Sequence, residues 1–490
     1  MFVATLALCS AARSFGETIK QPGSSAEEYL CEACNAWLCE ANGCTPAGGP
    51  IWQNFCAKGG YDVVANGTCY SKEDASSCCA TSQPWPCTLC KDGCQDGCVK
   101  VDADIPDGSE LCVRGSSNIF PPEIPQLCRS ESPSDRCCTE PSRVEWVLTT
   151  NGAVEGKPLL DPLNGETVYS ASYDGKLTNV RANSGQVMWQ VSLSSASLRT
   201  GPAWSEAADA IVVGDTSSNM YAVTRSTGSV LWKTSLGSNA HYGIASSPLT
   251  TLGGRGSPFV WIGNTDGVMY CLDGKNGTIL WKMDTGERYI VSTPVDDGKH
   301  IYFGTGGGGR GMLFKLDAMS GAKVATFGPL TDDINSSPVL NEAMTTLYIG
   351  TDANAVVALE TSTLKQVWSS STESKVYASP ALSPSGTTLY AMTIDNSVFS
   401  LDTRLGSVVW KTRLPGGSGH SKGSPLVSAD GEIMYIGSDD FSFFAIETKT
   451  GKVLWSVGTG GAIDGKATFS KTGSTVFVGS KGDNMYALRT

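Results

Sequence analysis

Ala445-Ile446-Glu447-Thr448-Lys449-Thr450-Gly451-Lys452-Val453-Leu454-Trp455 reads as the end of one strand, a polar turn and the start of another. The Thr-Gly pair supplies the turn, and Val-Leu-Trp opens the following strand. The same stretch recurs at Ala222 to Trp232, Cys271 to Trp281 and Ser400 to Trp410, with weaker copies at Asn179 to Trp189 and Ala358 to Trp368. A period of roughly forty to fifty residues built of short β-rich runs marks a repeat architecture.

Upstream of each copy lies an aromatic-apolar run closing on glycine: Leu347-Tyr348-Ile349-Gly350, Met434-Tyr435-Ile436-Gly437 and Val476-Phe477-Val478-Gly479 are three. A tight turn follows, such as Asp174-Gly175 or Asp266-Gly267, and then a second alternating run such as Val268 to Leu272. A Ser-Pro or Thr-Pro stretch (Ser247-Pro248, Thr293-Pro294, Ser337-Pro338, Ser379-Pro380, Ser424-Pro425) opens the unit. Four short strands per unit is the make-up of one propeller blade.

The tryptophan position is filled by Trp146, Trp189, Trp232, Trp281, Phe327, Trp368, Trp410 and Trp455, which gives eight units. The aromatic run also occurs eight times, near Tyr169, Val213, Trp261, Tyr302, Tyr348, Tyr390, Tyr435 and Phe477, offset by one from the first series. The last aromatic run has no tryptophan strand after it, and the strand from Arg143 to Thr150 has nothing before it. Pairing the two closes the ring and removes two exposed sheet edges. The expectation is an all-β fold, an eight-bladed β-propeller closed by its N- and C-terminal strands, behind a small disulfide-rich region.

The unit Ala-x-Asp-x-x-Thr-Gly-x-x-x-Trp resembles the tryptophan-docking motif of the propellers of pyrroloquinoline-quinone (PQQ) enzymes, and the likeness spans roughly Arg143 to Thr490. It implies the fold more than the cofactor, since outer-membrane assembly lipoproteins and luminal stress-sensor domains are similar without binding the quinone. The quinone enzymes of the family hold Ca²⁺ with Glu and Asn, use an Asp base and often cover the ring with an adjacent-cysteine disulfide. Here the propeller carries only Cys271, in a slot where other copies have Ala222, Ala358 or Ala445, which reads as a small buried residue. The expectation is therefore no cofactor and no metal, with PQQ and Ca²⁺ as the alternative.

Composition divides the chain. Eight cysteines (31, 34, 39, 44, 56, 69, 78 and 79) are matched in order by eight more (87, 90, 94, 98, 112, 128, 137 and 138). Two tandem modules follow, 31–79 and 87–138, each too poor in aliphatic residues for a large core and held by up to four disulfides whose pairing the spacing leaves open. Zinc is the rival use of the Cys-x-x-Cys pairs, but His241, His300 and His420 all lie elsewhere. A redox-active Cys-x-x-Cys would need a βαβ setting that the sequence lacks. Residues 1–16 read as a signal peptide, apolar and too short to span a bilayer, though without a leading basic residue. The destination is then secreted, extracellular, luminal or periplasmic. A net charge of −12 argues against nucleic acid, and no later segment is apolar enough to be a transmembrane helix. Asn66, Asn276 and Asn335 head glycosylation sequons.

The strands that open each blade line the central channel, so their leading residues face one mouth. These include Arg199, His241, Tyr242, Arg288, Tyr289 and Asp332, followed by Asn335, Lys375, Tyr377, His420, Lys422, Asp464 and Lys466. Cations mixed with aromatics suit a protein or glycan partner or a polar ligand. His241 and His420 could in principle share a metal, but they sit four blades apart across the ring and no third ligand is evident, so each reads as a lone solvent-exposed or hydrogen-bonded histidine. The run from Thr305 to Gly311 lacks the Gly-Lys-Ser/Thr ending of a phosphate loop and precedes a strand, so it reads as an enlarged hairpin. No nucleophile or metal motif appears. The function expected is a non-catalytic secreted or cell-surface scaffold, with a PQQ- or metal-dependent oxidoreductase or a ligand sensor as alternatives.

Overall fold

A computed structural model describes residues 143–237, 243–250, 259–416 and 420–490, together with the backbone of short strands between residues 45 and 128. The chain divides into two compact units, residues 1–115 with 123–140 and residues 116–122 with 141–490. In the first, Thr45–Pro46 pairs with Cys56–Ala57 and Asp62–Val63 with Cys69–Tyr70. Glu110–Arg114 pairs with Leu89–Cys90, Cys98–Val101 and Leu127–Cys128. The disulfides, the signal peptide and Asn66 lie outside the described residues.

The second unit is a ring of eight four-stranded antiparallel sheets. Blade 1 consists of Leu159–Leu160, Thr167–Ala171, Lys176–Arg181 and Val187–Ser192, and six more blades follow in the same order. Blade 8 takes Thr468–Phe469, Thr475–Ser480 and Asn484–Arg489 from the C-terminus and Val144–Thr149 from the front of the propeller. Tyr486 stands opposite Val147 and Ala487 opposite Trp146, which is the closure that the offset of the two series requires. Among the described residues no helix is long and apolar enough to cross a membrane.

The two middle strands of each blade are buried on both faces, as in Ala210–Gly214 and Val356 to Leu359, because each sheet is packed between two neighbours. The glycine that ends the second strand is a packing requirement. A Cβ on Gly263 would sit 2.2 Å from Ile290, and one on Gly437 would sit 2.1 Å from Ile463, the residue that leads into the next blade.

The Trp and Gly of the repeat meet across blade boundaries. Trp232 of blade 2 donates from Nε1 to the Gly274 carbonyl of blade 3 at 3.1 Å and covers Gly277, whose φ is +73°. Trp146, Trp189, Trp281, Trp368 and Trp410 donate in the same way to Ala182, Arg225, Ala318, Thr403 and Thr448. Each indole thus satisfies a turn carbonyl while burying apolar area, a contact of roughly 3–5 kcal/mol on truncation. Trp455 faces the boundary where the chain ends, and there the Arg143 guanidinium lies 4.5 Å from its ring centre.

Blade 4 corrects one reading. The sequence places Phe327 in the tryptophan position, but the register sets Ala325 opposite Lys315 and Phe327 opposite Leu313. A bulge between Lys315 and Leu316, which the other blades share at the same point, fixes this offset. The only large aromatic nearby misled the count by two residues.

Candidate functional site

The opening strands surround a central channel of about 840 Å³. Most begin with an apolar anchor (Val154, Ile244, Ile290, Ile334, Ile463) that plugs into the preceding blade and aims the next residues inward, whereas blade 7 has the buried Ser421 there. Then comes the residue before the proline, and here the Ser-Pro motif acquires its role. The Gly201 amide donates to Ser247 Oγ, Ser247 to Thr293, Thr293 to Ser337, Ser337 to Ser379 and Ser379 to Ser424, at 2.9–3.1 Å. A belt of hydroxyls stitches successive blades together around the channel. Proline suits the next position because its missing N–H is not needed there.

Of the residues singled out in the sequence, Arg199, Tyr289, Asn335, Tyr377, Lys422 and Lys466 line this channel. Arg288 and His420 are exposed, and His241 and Tyr242 lie outside the described residues. Asp464 bridges Lys481 at 2.6 Å and Lys422 at 3.9 Å, and Lys422 stands 5.9 Å from the Tyr377 ring centre. Arg199 forks onto Glu155, with Nε to Oε2 at 2.9 Å and Nη2 to Oε1 at 3.3 Å, and the Tyr173 hydroxyl also donates to that carboxylate. Burial raises the Glu155 carboxyl, but the charge and hydrogen bonds of Arg199 outweigh it, so Glu155 sits below the ordinary value.

On the other side of the ring, Asp332, Asp333 and Asp352 bring carboxylate oxygens within 4.8 Å of one another. Lys375 Nζ holds Asp332 at 2.7 Å, and Asn335 Nδ2 donates to Asp352 Oδ2 at 2.7 Å. Asp333 turns towards the glycine loop: the amides of Gly307 and Gly309 donate to it at 2.8 and 3.0 Å, and that of Gly308 at 3.4 Å. The loop's amides are therefore engaged by a carboxylate of the same chain and are not free to cradle a phosphate. Asp352 is 3% exposed, and its Oδ1 has no partner among the described residues. Burial pushes its carboxyl up to about 7.

These carboxylates are a poor fit for the family's cation: Asp332 is neutralised by Lys375 and Asp333 is occupied by backbone amides. Cys271 is buried in its sheet, and burial, with Asp273 nearby, pushes its thiol up to about 12, so it is an inert packing residue. Asn276 is exposed on its turn, whereas the Asn335 side chain is engaged with Asp352 at the channel.

Sequence reasoning missed Lys157, Glu155, Lys481 and Asp352. Lys157 had a visible signal: Lys157-Pro158 stands where other units read Ser-Pro, and aligning the repeats on that proline exposes it. Asp352 had none, because the Asn335 that holds it comes from a different stretch of chain and meets it only in three dimensions.

A family profile described as outer membrane protein assembly factor BamB matches the chain at residues 137–326, 265–424, 336–456 and 367–490. No curated protein matches it. Solved structures of similar shape include BamB from Moraxella catarrhalis, with TM-score 0.57 and 16% identity over 71% of this chain and 99% of that one. The computationally designed Ika8 protein gives 0.58 and 13% over 71% and 100%. A europium-containing methanol dehydrogenase gives 0.58 and 15% over 71% and 93%. At such identities the likeness shows the fold alone.

Proposed function

We propose that this chain, which belongs to the PQQ-like propeller family described as outer membrane protein assembly factor BamB, is a non-catalytic extracytoplasmic scaffold that docks a protein at the channel mouth. The observation that carries the reading is the rim itself. Exposed Arg288 adjoins Tyr289 on one side, and Lys422 stands over Tyr377 on another, all held on a closed ring. Arginine and tyrosine on a rigid base lose little entropy on binding and are the side chains that anchor protein interfaces. The family name and the engagement of Asp332 by Lys375 and of Asp333 by backbone amides both favour docking over oxidoreduction. The sixteen cysteines between Cys31 and Cys138 favour an oxidising compartment.

Affinity capture from the native extracellular fraction tests this, with the intact chain beside Arg288→Glu and Tyr377→Ala variants. A protein retained by the wild type and lost with both variants supports the reading. Equal capture by all three contradicts it. The oxidoreductase alternative is tested separately by adding PQQ and Ca²⁺: a bound-quinone absorbance band would establish it.

A further inference from the structure

The hydroxyl belt around the channel is incomplete. Lys466 of blade 8, Lys157 of blade 1 and Gly201 of blade 2 occupy three successive places before the proline position, and none offers a side-chain oxygen to the neighbouring amide. The blades still pack tightly in this sector. A Cβ on Gly465 would lie 2.2 Å from the Glu155 carbonyl, one on Gly201 would lie 2.7 Å from that of Lys157, and Thr468 Oγ1 donates to the Pro158 carbonyl at 2.6 Å. The belt therefore stops because of what the side chains are, not because the ring opens.

The side chains that fill the gap bring ammonium groups where the rest of the belt brings hydroxyl oxygens. Among the described residues, the ammonium groups of Lys157 and Lys466 have no carboxylate, carbonyl or hydroxyl partner. The Thr200 hydroxyl, on the same wall and 2% exposed, has none either. The charged residues of the channel wall are Lys157, Arg199, Lys422 and Lys466 against Glu155 alone, in a protein whose net charge is −12. Glu155 is held by Arg199 and Asp464 by Lys481, so neither carboxylate pairs with Lys157 or Lys466. Burial, and then the charge of Lys157, depress the Lys466 ammonium to about 8. Lys157 is reached by water yet surrounded by the channel walls, and that enclosure depresses it as well. Two neighbouring cations facing one channel, with no carboxylate paired to either, form a receptor for a multiply charged anion.

We propose that Lys157 and Lys466 form the floor of a binding site for a small polyanion, carrying phosphate or carboxylate groups, in the blade 8 to blade 2 sector of the channel. The site is independent of protein docking at the rim, so either can fail alone. Titration calorimetry of the full chain with pyrophosphate and, separately, with citrate tests it. The wild type is expected to bind one equivalent of at least one of them, and the one preferred tells phosphate from carboxylate. A Lys157→Met/Lys466→Met variant is expected to weaken binding by roughly tenfold or more, while Lys365→Met, which removes a charge from an outer turn, leaves it unchanged. The double variant is also expected to melt at a higher temperature without anion, since it loses the repulsion, which shows that it folds. As a measurement free of variants, acetylation of Lys466 in the wild type is expected to slow at least severalfold when the anion is bound. No binding of either anion, equal binding by the double variant, or acetylation indifferent to anion would each overturn the proposal.

Discussion

Lys315 faces Ala325 across the last two strands of blade 4, reversing the pair in which the other seven blades set a tryptophan opposite a smaller residue. The exchange is a compensation. The lysine is 4% exposed, its stem lies in the core, and its Nζ donates at 2.8 Å to the Thr361 carbonyl. That carbonyl is the turn group of blade 5 which an indole satisfies elsewhere. Leu364, at φ +56°, takes the place of the usual turn glycine, because no indole presses on it.

Lys315→Ala is accordingly expected to destabilise the propeller by about 2–4 kcal/mol, through a cavity and an orphaned carbonyl. Ala325→Trp alone overfills the site and costs about 1–3 kcal/mol. The double variant recovers much of both losses. Urea denaturation of the four proteins reads the coupling, and strict additivity would contradict the compensation.

Asp352 makes stability fall as pH rises. Unfolded, its carboxyl ionises near 3.8; folded, burial holds the proton to about 7. Between these values the folded chain keeps a proton that the unfolded chain releases. Asp352→Asn is expected to raise stability by on the order of 2–4 kcal/mol near neutral pH and to change it little below about pH 4. Thermal melts across that range check the sign.

Asp297 acts in the opposite sense. Burial raises its carboxyl, but hydrogen bonds from His300 and the Tyr302 hydroxyl, at 3.0 and 2.7 Å, bring it down to about 2. The folded pKa is below the ordinary 3.8, so the stabilisation is complete above that value and is lost as pH falls through about 2. Asp297→Asn is expected to cost roughly 1–2 kcal/mol near neutral pH and less than half of that at about pH 2. Guanidinium titrations at the two pH values check this.

Gly277 has φ +73°, and a Cβ there would lie 2.5 Å from Thr234 Oγ1 and 2.6 Å from Trp232. Gly277→Ala is expected to cost more than about 2 kcal/mol, combining left-handed strain with the loss of indole packing. A melt that matches the wild type would show that the turn can move away from the tryptophan.

What was legible in the sequence was whatever repeats. Trp232 and Gly277 recur at fixed spacing because each blade boundary poses the same packing problem, and the offset of Trp146 from Phe477 disclosed the closure. What did not repeat was hidden. Ala325 escaped because a phenylalanine two residues away looked like the missing aromatic. The grip of Asp333 on the glycine loop escaped because Gly307 and Asp333 come together only through the ring. Lys157 escaped because, taken alone, a lysine before a proline looks like an ordinary solvated loop.

The closed ring on which the rim and the channel depend is tested most directly by hydrogen exchange of the intact chain. Asn484–Arg489 lies between two partners only if Val144–Thr149 pairs with it. Its amides are then expected to be as protected as those of the equivalent interior strand Ser442–Glu447, and Val147→Pro is expected to expose them selectively. Rapid exchange of Asn484–Arg489 in the wild type, with Ser442–Glu447 still protected, would contradict the closure.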